Sequence, residues 1–187
     1  GGMMFGIAAT GLIIYFFARR KPAIVNRTFG RLQIISSAWF ALTHGANDGQ
    51  KTMGIIVLIL FSVGLIEELE MPLWVIFAAA GAMGLGTFFG GYKVIKTLGV
   101  KVTRLKPYQG FAAETSGGLM LAVFATLGIP ASTTHAITGT IMGAGSARRI
   151  RAVRWRVSRQ IIFSWVITIP GAAGLGIAFT YIIHLFL

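Results

Sequence analysis

Long apolar runs separated by short polar ones dominate the chain. The runs at 3–18 (MMFGIAATGLIIYFFA), 72–92 (PLWVIFAAAGAMGLGTFFGGY) and 160–187 (QIIFSWVITIPGAAGLGIAFTYIIHLFL) approach the roughly 20 apolar residues that cross a hydrocarbon core. Each predicts a transmembrane helix, the last with a kink at Pro170-Gly171. Two further stretches, 32–66 and 107–147, are apolar but interrupted, by THGANDGQKTMG at 43–54 and by GIPASTTHAITG at 128–139. The first is expected to break near Gly45–Gly49, the second to form a helical pair or a re-entrant hairpin. Backbone that is not helical at membrane depth must line a cavity or be buried in protein, because its N–H and C=O groups need partners. Paired interruptions of this kind are the sequence mark of a transporter binding site. The pattern predicts an all-α polytopic membrane protein with discontinuous helices or re-entrant hairpins, a single transmembrane domain over 1–187.

Composition agrees: 55% of residues are hydrophobic and 12% charged, against about a quarter charged in soluble domains. The 25 glycines suit close helix packing in lipid. Net charge of +12 would suggest nucleic acid if it were spread over one face, but it is not. Sixteen of the 17 Lys and Arg fall in the clusters 19–31, 93–106 and 148–159, at the ends of apolar segments. Cytoplasmic loops have this character, and anionic headgroups attract it. Glu67, Glu68 and Glu70 mark a short loop on the opposite side. With the basic loops inside, 1–18 runs inward, 32–66 outward, 72–92 inward, 107–147 starts and ends inside, and 160–187 runs outward. A hairpin over 32–66 would reverse the downstream parity. The location expected is the plasma membrane, multi-pass, with no nucleic acid partner.

The absence of cysteine excludes disulfides and thiolate metal sites. There is no Gly-x-x-x-x-Gly-Lys-Ser/Thr loop for ATP, and the three histidines form no zinc-like spacing. A triad of Ser132, His135 and Asp48 has no support in its spacing, so no enzyme and no cofactor is expected. The opening on Gly1 within an apolar run, with no basic segment before it, suggests a fragment of a longer chain.

Three places carry the chemistry. Asp48 would cost about 2.5–3.5 kcal/mol at membrane depth unless paired, protonated or bound to a cation, and Asn47 and Gln50 add neutral oxygens beside it. A plain Asp48–Lys51 ion pair three residues apart is the bland alternative. Pro130 followed by Ser132, Thr133 and Thr134 can start a half-helix whose free N–H groups and hydroxyls would hold an anion. Its alternative is a proline kink with hydroxyls bonded back along the helix. Glu114 is either a second cation or proton site or an interfacial carboxylate. His44 and His135 flank the two motifs as supporting polar groups.

GANDGQKTMG together with GIPASTTHAITGTIMGAG resembles the inorganic phosphate transporter (PiT) family, at the second of its two signature repeats. Gly45-Ala46-Asn47-Asp48 match the first element. Pro130, Ser132, Thr133, Thr134 and His135 match the second, with Ala131 where Val or Ile is usual, and Glu114 in AETSGG matches an upstream acid. The likeness runs from about residue 30 onward. It implies a secondary transporter of two inverted repeats, of which this chain holds one, the other preceding Gly1. Phosphate would rest on Ser132, Thr133 and Thr134, and the coupling ion, H+ or Na+, on Asn47 and Asp48, with Glu114 as a further site. Gly49-Gln50-Lys51 replaces the Val-Ala-Asn of sodium-coupled members. That form resembles bacterial low-affinity transporters that use protons and carry metal-phosphate complexes. Expected partners are inorganic phosphate, the bilayer, the other repeat and, optionally, a second copy in a homodimer. Another oxyanion such as sulfate, or a non-transporting membrane subunit, are the competing readings.

Overall fold

A computed structural model describes residues 1–186 and is helical throughout, with no strand among them. α1 (Gly2–Phe17), α2 (Pro22–Ser62) and α3 (Leu73–Lys96) are followed by a π-helical extension over Thr97–Val102. α4 (Pro107–Thr126), α5 (Thr133–Ser146), a short 3-10 turn (Ile150–Ala152) and α6 (Trp155–Phe186) complete the order. Residues 1–153 form one compact unit and the segment from Arg154 a second. α6 continues as helix through Pro170. By length and composition, α3 with its extension and α6 can each cross a membrane. Phe88 and Phe89 of α3 stand 81% and 80% exposed, as side chains do that meet lipid rather than water.

α2 corrects one expectation. It is a single helix of 41 residues, with no break at Gly45–Gly49. A helical glycine costs roughly 1 kcal/mol relative to alanine, whereas each unpaired backbone group in lipid costs several. Unbroken hydrogen bonding therefore wins. Being continuous, α2 does not fold back as a hairpin. It stops at Val63-Gly64, where Gly64 takes φ +73°. Gly64 N–H donates to the Phe61 carbonyl at 3.1 Å and Leu65 N–H to that of Leu60 at 2.9 Å, closing the last turn as a Schellman cap.

α4 and α5 form an antiparallel helical hairpin. Both outer ends meet at the basic side, where Gln109 Nε2, in the first turn of α4, donates to the Ala144 carbonyl near the end of α5 at 2.8 Å. At the tip α4 ends in the same cap as α2: Gly128 has φ +67°, and Ile129 N–H donates to the Phe124 carbonyl at 2.9 Å. Pro130 follows and blocks continuation. α2 lies parallel to α4, with Gln33 against Gly110, Phe40 against Gly117 and Trp39 against Gly118. α1 lies parallel to α5 along small residues, Gly2 and Gly6 facing Ala136 and Thr140, and Met3 facing Gly143. Gly139 also lies against Met3 and Gly2, so four glycines on two helices bring backbones together, as small residues do in lipid. The hairpin tip reaches the level of Asp48, 14 residues, or about 21 Å, before α2 ends.

Candidate functional site

Helical spacing puts Asn47 and Lys51 one turn apart on α2, with Asp48 beside them, and this face meets the hairpin tip. Asn47 is buried, and its Nδ2 donates to the Ala131 carbonyl at 3.1 Å. Lys51 Nζ donates to that same carbonyl and to Asp48 Oδ1 at 3.1 Å. Thr133 Oγ1 crosses from α5 to donate to Asp48 Oδ2 at 2.8 Å. His44 Nε2 lies 3.1 Å from the same oxygen, one turn back on α2. The carboxylate is half-buried, at 31% side-chain exposure, with partners at both oxygens. Charge-assisted bonds of this kind are about twice as strong as neutral ones. They explain why the helix need not open to satisfy Asp48.

At the start of α5, Ser132 Oγ accepts from the His135 amide at 3.3 Å, the ordinary N-cap bond. Thr133 is buried and spends its hydroxyl on Asp48. Thr134 is exposed, as are Ser132 and His135. The amides of Thr133 and Thr134 are the first two of the helix, so neither has an acceptor within it. With the N-terminal end of the dipole they form a partial positive pole, of the kind that holds an anion. It lies one hydrogen bond away from Asp48.

Glu114 stands apart from this cluster. It sits two turns into α4, accepting from Ser36 Oγ and from Gln33 Nε2 at 3.3 Å. Ser36 precedes Asp48 by 12 residues, about 18 Å along the helix axis. Glu114 therefore belongs to the same α2–α4 seam but lies nearer the basic end. Gln33 and Ser36 were not picked out by sequence reasoning. A signal was there: Gln33, Ser36, Thr43, Asn47 and Lys51 are spaced by three, seven, four and four residues, one or two helical turns each, a polar stripe on an otherwise apolar helix. Gln50 is exposed on α2. Among the described residues no group of three or more His, Cys, Asp or Glu comes together. The oxygens that could hold a monovalent cation here are the Asp48 carboxylate, the Asn47 amide oxygen and the Ala131 carbonyl.

Comparison with known proteins identifies the family of the chain. A sequence model described as the phosphate transporter family matches residues 7–176. A "probable low-affinity inorganic phosphate transporter" of Rhizobium meliloti (strain 1021) is 46% identical over 92% of this chain and 52% of its own length. One of the same description from Bacillus subtilis (strain 168) is 38% identical over 94% of this chain and 54% of its own. A solved structure, "The sodium-dependent phosphate transporter", superposes with a TM-score of 0.77 at 31% identity, over 94% of this chain and 46% of that one. The chain spans about half the length of the relatives it matches.

Proposed function

We propose, since this chain belongs to the phosphate transporter family, that it is the C-terminal of two inverted repeats of a secondary transporter moving inorganic phosphate with a coupling cation, H+ or Na+. Phosphate would rest on the start of α5, through Ser132, Thr134 and the first amides, and the cation at Asn47 and Asp48. One observation carries the reading. The helix start suited to an anion and the carboxylate suited to a cation, 85 residues apart in sequence, share the Thr133–Asp48 hydrogen bond. The exposed sides of Ser132, Thr134 and Gln50 are where the other repeat would complete the cavity.

Electrostatics supplies the coupling. Phosphate near neutral pH carries between one and two negative charges. At an effective dielectric of 20, two unit charges about 4 Å apart repel by roughly 4 kcal/mol. Lys51 offsets part of this in the resting site, held between Asp48 and Ala131. A proton or Na+ arriving at Asp48 removes the remainder, so phosphate and cation bind well only together, which is symport written as linkage. Alternating access would rock the hairpin and α2 against the other repeat. Lys51 makes a proton the simpler coupling ion, because the place of a bound cation is partly taken by an ammonium.

The test is uptake of labelled phosphate into proteoliposomes holding the full-length protein, under imposed Na+ or H+ gradients. One gradient should accelerate uptake several-fold, with sulfate competing poorly. Equal competition by sulfate would move the reading to oxyanions in general. No uptake under either gradient would favour a non-transporting subunit.

A further inference from the structure

At the basic end, away from Asp48, a cleft of about 290 Å³ opens between the α1–α2 corner and the base of the hairpin. Three cations line it: Arg20 from the corner, Lys106 from the start of α4 and Arg148 from just beyond α5. No carboxylate is available to them. Among the described residues the ion pairs both involve Asp48. Glu114 is hydrogen-bonded to Ser36 and Gln33, and Glu67, Glu68 and Glu70 lie in the loop after α2. Like charges drawn from three separate segments repel one another unless an anion joins them. The other wall is apolar, built by Ile13, Ile14 and Phe17 of α1. Asn26 also lines the cleft, and its amide oxygen is buried without a hydrogen-bond partner. The orientation of such an amide is open to a half-turn, which would present its N–H2 group to an anion.

A small oxyanion would satisfy the cations and leave the apolar wall bare. An acyl chain alone would do the reverse. We infer that the cleft binds one anionic phospholipid, its phosphate between Arg20, Lys106 and Arg148 and its upper acyl chain along Ile13, Ile14 and Phe17. The depth suits this occupant, since basic clusters at the ends of apolar segments lie at headgroup level. The lipid would brace the α1–α2 corner against both ends of the hairpin, the element whose tip carries the Thr133–Asp48 contact. The inference does not depend on the transport reading, because it is tested by binding.

The test is the thermal stability of the purified full-length protein in neutral detergent, titrated with phosphatidylglycerol, with phosphatidylcholine and with soluble glycerol phosphate. Each cation near an anionic headgroup contributes roughly fivefold to affinity. The variant Arg20→Gln/Lys106→Gln/Arg148→Gln should therefore need roughly 100-fold more phosphatidylglycerol for the same stabilisation. A variant with equal charge loss outside the cleft, Lys93→Gln/Lys96→Gln/Arg151→Gln, should match the unaltered protein. If the triple cleft variant does not fold, Arg20→Gln alone should show a roughly fivefold loss. Three results would each overturn the inference: no stabilisation by phosphatidylglycerol, equal loss in the two triple variants, or glycerol phosphate reproducing the full effect with the same dependence on the cleft.

Discussion

Asp48→Asn in the full-length protein is expected to lower cation-driven phosphate uptake into proteoliposomes by about 10- to 100-fold, a loss of roughly 1.4–2.7 kcal/mol. The amide keeps the shape of the carboxylate and can still accept from Thr133, so the hairpin tip should stay seated. It cannot take up a proton or neutralise Na+, and the linkage between phosphate and cation goes with it. A simpler role for Asp48 would be to neutralise Lys51, which bonds it at 3.1 Å. The two roles separate in the double variant Asp48→Asn/Lys51→Met. If charge pairing is all that Asp48 does, removing both members should restore uptake, since a mutually satisfied pair can be replaced at little cost while a lone buried charge cannot. If Asp48 couples the cation, the double variant stays inactive while eluting as a folded protein. Restored gradient-driven uptake would sink the coupling role.

Gly143→Ala should have the largest effect on stability. A Cβ there would fall on the Met3 carbonyl oxygen and 3.0 Å from the Ile7 amide nitrogen. Both are backbone atoms of α1 and have no rotamer to yield. Overpacking of this kind costs about 1–3 kcal/mol, and at roughly 2–4 °C per kcal/mol the apparent Tm in detergent should fall by about 5 °C. Gly11→Ala is the control. Its Cβ would meet nothing within 4 Å, and the gain in helix propensity should leave Tm level or slightly higher. Equal Tm values for the two variants would contradict the close α1–α5 packing.

Much of this was legible in the residues. Apolar runs marked the helices α1, α3 and α6, and of these α3 and α6 are long and apolar enough to cross a membrane. Pro130 with Ser132 marked the start of α5, since a proline stop and a hydroxyl cap are local chemistry. The basic clusters foretold that both ends of the hairpin return to one side. The glycines of 43–54 misled, being read as helix breakers. Their flexibility matters less than the cost of unpaired backbone in lipid, and Asp48 found partners at i−4 and i+3 without leaving the helix. What this face of α2 meets across the fold was not legible, because Thr133, which bonds Asp48, and the Ala131 carbonyl, which accepts from Asn47 and Lys51, come from a tip 80 or more residues away. Glu114 could be picked out as an anomaly, but its partners Gln33 and Ser36 depend on α2 and α4 running parallel. The value of the glycines as spacers was visible in their number. Which pairs touch, such as Gly6 with Thr140, required the packed helices.

The central claim is that phosphate and its coupling cation bind one site as a linked pair, through α5 and Asp48. The most direct measurement is the phosphate Kd of the full-length protein, by titration calorimetry in detergent, against rising Na+ at fixed pH and against falling pH without Na+. Phosphate's own ionisation is common to every variant, so the comparison with Asp48→Asn isolates the site. The account predicts that Kd falls by up to about tenfold per tenfold rise in one of the two cations, and that Asp48→Asn abolishes this dependence. A Kd that responds to neither cation, or responds equally in Asp48→Asn, would contradict it.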